Sequence, residues 1–368
     1  MADVAGFDAK EQVRQATDIV DLVGSYLPLR REGRNYKALC PWHDDSKPSL
    51  QVNPQRQSFK CWVCNIGGDI FSFVMKMENV EFVEALNILA EKAGIKIDRR
   101  GGPGGSTDDR QLLFKVLSWA EDQFHHYLVE SPDAEVARRY FDDRGLTDES
   151  IGKYRLGFSP DRWDWLTQRA FAAGFAEALL EKAGLVITRD DKPGCYDRFR
   201  GRALFPIHDP QGRTIAFGGR VLPQFADKTP AKYINSPETP LFSKHRVLYG
   251  LNSARDALAK SKTALIMEGY TDCIMARQFG IANSVAVLGT ALGESHLKLL
   301  RQHNVERVVL VLDGDEAGQK RTKEILELFV SEPIDLRVMT LPDDLDPCDL
   351  LIERGKATFD QLQANAVD

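Results

Sequence analysis

Two short pairs of metal-type ligands constrain this chain more than any other feature: Cys40-x2-His43 and, further on, Cys61-x2-Cys64. Each pair has the spacing of a metal-binding knuckle. Together they supply three thiolates and one imidazole, the set that closes a tetrahedron around Zn²⁺. Protein fills all four positions, so the metal holds structure and has no open position for chemistry. Pro41 and Gly67-Gly68 provide the turns that such knuckles need. The segment is expected to fold as a small β-ribbon over about 34–66. The residues around the ligands are basic and aromatic, a composition that suits contact with nucleic acid. Arg34, Lys47, Lys60 and Trp62 are the candidate contacts. Trp42, Phe59 and Trp62 either stack on bases or pack around the zinc.

At 368 residues the chain has room for two or three domains with real cores. No apolar run approaches the ~20 residues that span a bilayer. The acidic start Met1-Ala2-Asp3 is not followed by an apolar stretch, so neither a membrane anchor nor an export signal is expected. The remaining cysteines, Cys195, Cys273 and Cys348, are odd in number and far apart. They imply a reducing compartment, the cytoplasm, and no disulfide framework. A net charge of −6 argues at first against a polyanion partner. The distribution reverses that argument. Residues 198–246 hold nine Lys/Arg against three Asp/Glu, whereas 263–368 hold ten against eighteen. Cations for a polyanion beside carboxylates for a divalent metal is the pairing an enzyme acting on phosphates needs.

The periodicity divides the chain. Residues 8–23 pattern as an amphipathic helix, and after the ribbon two short helices, 70–77 and 82–93, close a module of residues 1–100. Gly101-Gly-Pro-Gly-Gly-Ser106 opens a flexible linker, 101–110. A mixed, basic region, 111–255, begins with a long helix from Gln111. Within it, Asp197-Arg-Phe-Arg-Gly-Arg202 reads as a strand with Arg198, Arg200 and Arg202 on one face. From 256 to 368 short apolar strands (263–267, 284–288, 307–312, 335–341) alternate with helical stretches (272–279, 294–302, 318–330). That alternation predicts a parallel sheet covered by helices. The fold class is therefore mixed: a zinc ribbon, a basic α/β part and a parallel-sheet α/β part.

Carboxylates gather at the ends of two of these strands. The first strand runs into Glu268-Gly-Tyr-Thr-Asp272, the third into Asp313-Gly-Asp315. Ligands of open α/β sheets bind beyond the C-terminal strand ends. If the two strands are neighbours, Glu268, Asp313 and Asp315 converge on one edge, with Gly269 and Gly314 keeping the backbone thin. Clustered carboxylates repel unless a divalent cation neutralises them, so Mg²⁺ or Mn²⁺ is expected there. Asp346 and Asp349, after the last strand, are possible further ligands.

In this order, the Cys40/His43/Cys61/Cys64 ribbon, the arginine-rich middle and the Glu268…Asp313-Gly-Asp315 sheet resemble a bacterial replicative primase of the DnaG type. The last sheet looks like a TOPRIM domain. The likeness covers nearly the whole chain and is carried in the middle by Tyr196-Asp-Arg-Phe-Arg-Gly-Arg202, Ile215-Ala-Phe-Gly-Gly-Arg220, Lys232-Tyr-Ile-Asn-Ser-Pro-Glu-Thr239 and Leu248-Tyr-Gly-Leu251. Arg144, Lys232 and Lys244 also fall on family motifs. The resemblance implies a zinc-ribbon domain tethered to a polymerase core that makes short RNA primers on single-stranded DNA from ribonucleoside triphosphates. It implies the replicative helicase and single-strand-binding protein as partners, and a monomer is expected. Asp313, Asp315 and Glu268 are assigned to metal and catalysis, Glu268 either as a ligand or as a base. Arg144, Arg198, Arg200, Arg202, Arg220, Lys232, Asn235 and Lys244 are candidates for nucleotide and template.

The chain departs from the family pattern twice. The last acidic motif of the family reads Asp-Pro-Asp, whereas here it is Asp346-Pro-Cys348-Asp349. Either Asp349 substitutes for the missing carboxylate or that ligand is weaker. The chain also stops soon after the sheet, where the family continues into a helical bundle and a helicase-binding domain. Type IA topoisomerases and OLD-type nucleases share the sheet. The topoisomerase pattern wants Asp-x-Asp-x-Glu, and Ala317 stands at its last position. A non-catalytic repair factor with zinc and the same sheet is the other alternative, though such proteins tend to lack the carboxylates kept here. A fused helicase motor is not expected, because no G-x4-G-K-[ST] loop is present.

Overall fold

The computed structural model describes residues 4–43, 45, 47–78, 80, 82–95, 107–189, 193–228, 231–312, 334–343 and 345–367. The chain divides into two compact units that part at Asp109/Arg110.

In the first unit the single helix expected over 8–23 is two helices, α1 (Val4–Ala16) and α2 (Ile19–Gly24). Asp18 separates them. Its backbone is extended (φ −79°, ψ 132°) and its side chain accepts the amides of Val20 and Asp21, an N-cap that starts a new helix. Five strands follow: β1 (Arg30–Glu32), β2 (Asn35–Ala38), β3 (Leu50–Asn53), β4 (Ser58–Cys61) and β5 (Gly67–Gly68). They pair antiparallel in chain order, so the ribbon starts four residues before the expected position. The two short helices expected behind it are α3 (Ile70–Glu78) and α4 (Phe82–Lys92). Asp69 caps α3 by accepting the Ser72 amide at 3.0 Å, while Arg14 holds its other oxygen at 3.1 Å. Val13, Ile19, Val23, Leu50, Val52, Phe73 and Leu89 form the buried core beneath the ribbon.

The second unit opens with α5 (Thr107–Glu130), which begins before Gln111; 101–106 of the expected linker lie outside the described residues. After α6 (Glu135–Asp143), α7 (Asp148–Lys153), β6 (Gly157–Ser159), α8 (Trp165–Ala172) and α9 (Glu177–Lys182) comes a hairpin of β7 (Val186–Thr188) and β8 (Cys195–Asp197). Then β9 (Arg202–His208), β10 (Thr214–Val221) and β11 (Tyr233–Asn235) complete an antiparallel sheet in the order β11-β10-β9-β6. The arginine segment is not one strand. β8 ends at Asp197 and β9 starts at Arg202, so Arg198 and Arg200 lie in the loop between them. Gly201 makes that break. It sits at φ +60°, and a Cβ there would lie 2.7 Å from Phe225 Cδ2.

The rest of the unit is the expected parallel sheet: β12 (Thr263–Met267), β13 (Ser284–Ala286), β14 (Arg307–Leu312) and β15 (Asp335–Thr340), ordered β13-β12-β14-β15. Helices α10 (Leu251–Ser261), α11 (Tyr270–Gln278), α12 (Glu294–Gln302) and α13 (Pro347–Ala364) accompany it. The helix expected at 318–330 lies outside the described residues. Because β13 is added on one side of β12 and β14 on the other, strand order reverses between β12 and β14. Open α/β sheets bind ligands at that point. The two sheets share one core. Phe141, Phe205 and Ile207 are buried in the same cluster as Leu265, Ile274, Val309 and Leu351. Tyr270 stacks on Phe205, with ring centroids 5.0 Å apart and an interplanar angle of 10°. No helix among the described residues is long and apolar enough to cross a membrane.

Candidate functional site

The four expected zinc ligands meet. Their donor atoms all lie within 4.8 Å of one another. Cys40 Sγ and Cys64 Sγ are 3.7 Å apart, and Cys61 Sγ is 3.8 Å from His43 Nδ1. A tetrahedral zinc with ~2.3 Å zinc–sulfur bonds has sulfur–sulfur edges of about 3.8 Å, so the donor set fits the metal. Burial pushes the Cys61 thiol up. The Ser49 hydroxyl and the Cys64 and Val63 amides outweigh burial and leave the thiol lowered to about 7. Cys40 has no such set of donors, and burial raises it well above the usual thiol range. Asp45, which the sequence reading missed, braces the site. Its Oδ2 accepts the Cys40 amide at 2.7 Å and the Ser49 hydroxyl at 2.6 Å, and its Oδ1 is 3.7 Å from His43 Nε2. A carboxylate behind an imidazole fixes the ring so that the other nitrogen faces the metal. The only sequence signal for it is an acid two residues after His43.

The three ribbon aromatics divide cleanly. Phe59 is buried, and with Trp42 and Phe73 it forms a cluster with centroids 5.3–5.8 Å apart. Trp62 is 67% exposed, held by Nε1 donating to Gln51 Oε1 at 2.9 Å, with Lys60 Nζ 4.8 Å over its ring. Arg34, Lys47 and Lys60 are exposed. The ribbon thus exposes one flat aromatic with the Lys60 cation over it.

At the parallel sheet, β12 and β14 are hydrogen-bonded neighbours, as the convergence argument required. Glu268 follows β12 at its C-terminal end and is half-buried. Asp313 and Asp315, which follow β14 in sequence, lie outside the described residues. Among the described residues the side chains that converge are Asp272, Asp346 and Cys348, with ligand atoms within 4.8 Å of one another. Asp272, on the first turn of α11, was not among the expected site residues, although it stands one helical turn after Glu268. Gly269 makes room for it: a Cβ at 269 would lie 2.5 Å from Asp272 Oδ2. Asp346 caps α13 by accepting the Asp349 amide at 2.8 Å. Asp349 itself is exposed and outside the converging group, and burial together with the Asp346 charge raises it. Cys348 is buried and donates its thiol proton to Asp272 Oδ1 at 3.1 Å. Burial and the charges of Asp272 and Asp346 push that thiol far up. Two facing carboxylates suit a hard divalent cation.

The basic residues take different parts. Arg202 is 3% exposed, and its guanidinium donates to the carbonyls of Gly219 (3.1 Å), Ala231 (3.0 Å) and Lys232 (3.3 Å). Burial and the charges of Arg200 and Arg198 lower it to about 10, still charged at neutral pH. Arg198 donates to the Asn235 carbonyl from Nε (3.2 Å) and Nη2 (3.1 Å). Arg200 lies 4.1 Å over Trp163 and 5.1 Å over Tyr196 and donates to the Asp197 carbonyl. Arg220 spans the rings of Tyr140 (5.6 Å) and Tyr233 (5.0 Å). Lys232 is exposed, and Lys244 is half-buried with its amide on Glu238. Arg144 Nη1 stands 3.9 Å from Asp346 Oδ2, joining basic residues to the acidic centre. Asn235 is a bracket. Its Oδ1 accepts the Tyr270 hydroxyl at 2.6 Å and its Nδ2 donates to the Leu288 carbonyl at 2.9 Å. The edge of the basic sheet is thereby pinned to the residue that opens α11, within one unit.

Family models match this layout in order. One described as CHC2 zinc finger matches residues 8–103, one as DNA primase catalytic core, N-terminal domain, matches 124–255, and one as Toprim-like matches 265–351. The DNA primase of Halalkalibacterium halodurans is 38% identical over 95% of this chain and 58% of its own length. That of Pseudomonas aeruginosa is 40% identical over 93% of this chain and 52% of its own length. The chain thus spans somewhat over half the length of the curated relatives it matches. Among solved structures, the zinc-binding and RNA polymerase domains of the Aquifex aeolicus primase are 32% identical, with a TM-score of 0.66, over 97% of this chain and 85% of that one. The catalytic domain of a DnaG primase bound to single-stranded DNA is 38% identical, with a TM-score of 0.64, over 71% and 81%. A structural zinc in the ribbon and a divalent metal in the Toprim-like part follow from these matches and from the donor sets above. With its zinc ribbon, basic sheet and carboxylate-edged parallel sheet all matched in sequence and in fold, the chain belongs to the bacterial DnaG-type primase family.

Proposed function

We propose that the chain is the priming polymerase of its family: it joins ribonucleotides into short RNA primers on a single-stranded DNA template. One observation carries the reading. The carboxylate edge at Asp272 and Asp346 and the edge of the basic sheet are fastened together in one unit by the Tyr270–Asn235 bond, an arrangement that supports a polyphosphate on the second meeting cations on the first.

The reaction is attack of a 3′-hydroxyl on the α-phosphate of a nucleoside triphosphate, with pyrophosphate leaving. Divalent cations bound here, Mg²⁺ or Mn²⁺, lower the hydroxyl's pKa and stabilise the leaving oxygens. The residues to hold them are Asp272 and Asp346, with Asp313, Asp315 and Glu268 completing the set in this reading. In this reading Arg144, beside Asp346, and Arg220, spread between two tyrosine rings, orient the triphosphate by forked contacts. Lys232 meets template or primer as a point charge at the exposed edge. Arg202 shapes that edge through three carbonyls instead of reaching solvent. Trp62 supplies the ribbon's stacking face for unpaired bases. The same reading makes the protein a cytoplasmic monomer working with the replicative helicase and single-strand-binding protein.

Incubation with single-stranded DNA, Mg²⁺ and labelled ribonucleotides should yield short RNA, and Asp313→Ala should yield none while still binding the DNA. Relaxation or cleavage of supercoiled DNA without ribonucleotide incorporation would move the assignment to a topoisomerase or nuclease.

A further inference from the structure

The cation centre at the end of the parallel sheet contains a sulfur. Cys348 Sγ shares a 4.8 Å sphere with Asp272 and Asp346 oxygens, and the side chain is 1% exposed. It stands at the second position of α13, directly after the Asp346 cap and Pro347, so the helix start itself turns it towards the carboxylates. The residue packs in the apolar core with Leu350 and Leu351, at the boundary between that core and the carboxylates. Here the thiol is aimed at Asp272 Oδ1, 3.1 Å away.

Ligand hardness decides what such a set prefers. Mg²⁺ wants oxygen ligands in near-ideal octahedral geometry and gains nothing from sulfur. Later first-row and related divalent ions bind thiolate strongly. We propose that Cys348 makes this centre a mixed oxygen–sulfur site that prefers thiophilic divalent cations of the Co²⁺, Zn²⁺ and Cd²⁺ class over Mg²⁺. This rests on the reading that the Toprim-like carboxylates hold a divalent cation. Mg²⁺ is held by Asp272 and Asp346 with the sulfur a bystander. A thiophilic ion takes the sulfur as a third ligand: the S–H bond breaks, an S–metal bond forms and the proton leaves to solvent, with no change of oxidation state.

Titration of the full chain with Co²⁺, its ribbon zinc left in place and verified by metal analysis, tests this without any assay of activity. The wild type should develop a saturable near-ultraviolet sulfur-to-cobalt charge-transfer band. In Cys348→Ser the band should be absent and Co²⁺ affinity about 10–100-fold weaker, with Mg²⁺ affinity by calorimetry unchanged. Cys348→Asp should shift the ratio towards Mg²⁺, and it serves as the test if the serine variant fails to fold. Equal Co²⁺ spectra and affinities in wild type and Cys348→Ser overturn the proposal, as does Co²⁺ binding to the wild type without the band. Binding of neither Mg²⁺ nor Co²⁺ to the wild type removes the cation site itself.

Discussion

Tyr270→Phe tests whether one buried hydroxyl holds the two sheets together at the site. The substitution keeps the ring, and with it the stack on Phe205 at 5.0 Å and the edge contact with Tyr249 at 4.9 Å. What it removes is the 2.6 Å bond to Asn235 Oδ1. Burial pushes the Tyr270 phenol well up, so it remains a proton donor throughout the physiological range. An acceptor left partly buried without its donor costs about 1–3 kcal/mol. In a unit of this size each kcal/mol lowers the melting temperature by about 2–4 °C. Asn235→Leu would also lose the Leu288 bond, but that loss cancels in a double-mutant cycle. A coupling energy of about 1 kcal/mol is expected from urea unfolding of the two singles and the double. The Asn235 carbonyl also anchors Arg198, so loosening the bracket should raise the KM for nucleotide or template more than it lowers kcat. Effects that add to within about 0.5 kcal/mol, with KM unchanged, would refute the bracket.

Cys61→Ala should lose the zinc and loosen the ribbon while the melting of the second unit is unchanged; metal analysis showing full zinc retention would remove the assignment. Trp62→Ala should leave stability intact, because the ring is 67% exposed, and weaken single-stranded DNA binding by about 1–3 kcal/mol in fluorescence titration. Lys232→Ala should reduce the slope of log K against log salt by about 0.7. Arg202→Ala should instead lower stability by more than about 1.5 kcal/mol, since three carbonyls lose a charged donor; equal behaviour of the two variants would contradict their different burial. Burial raises the phenols of Tyr140, Tyr249 and Tyr270 above the ordinary value of about 10. A raised folded-state pKa gives stability that is complete below pH ~10 and is lost as pH rises through the folded values. Absorbance titration should therefore show these tyrosines ionising only as the second unit unfolds in alkali; their ionisation near pH 10 in folded protein would contradict it.

Short-range geometry is what the sequence makes legible. Cys40/His43 and Cys61/Cys64 each meet within four residues, so spacing alone pairs them. The inner parallel strands β12 and β14 are apolar runs because both faces are covered, and all four strands fall within two residues of their expected bounds. Alternation fails wherever a backbone angle intervenes. Arg-Phe-Arg-Gly-Arg has the period of a strand, yet Gly201 at φ +60° ends it, and no count of positions reveals a φ. Asp18 likewise breaks a continuous apolar stripe by capping the second helix.

Long-range contacts leave no periodic trace at all. Asp272 looks like an ordinary first-turn acid until α13 brings Cys348 against it from 76 residues away. Arg202 carries the opposite lesson. In sequence it is indistinguishable from Arg198, Arg200 or Lys232 as a hand for phosphate. Whether a cation meets ligand or backbone depends on what surrounds it. At Arg202 the surroundings are carbonyls of β10 and of the segment entering β11, which fold into place only when the sheet does. A guanidinium so held stays charged at neutral pH while its donors keep the edge in shape. The electrostatic part of its role is thus legible from composition, and the structural part only from the fold. That division is why the charge asymmetry between 198–246 and 263–368 points to a basic part beside an acidic one, while the fold shows that Arg198, Arg200 and Arg202 of the basic stretch donate to backbone carbonyls.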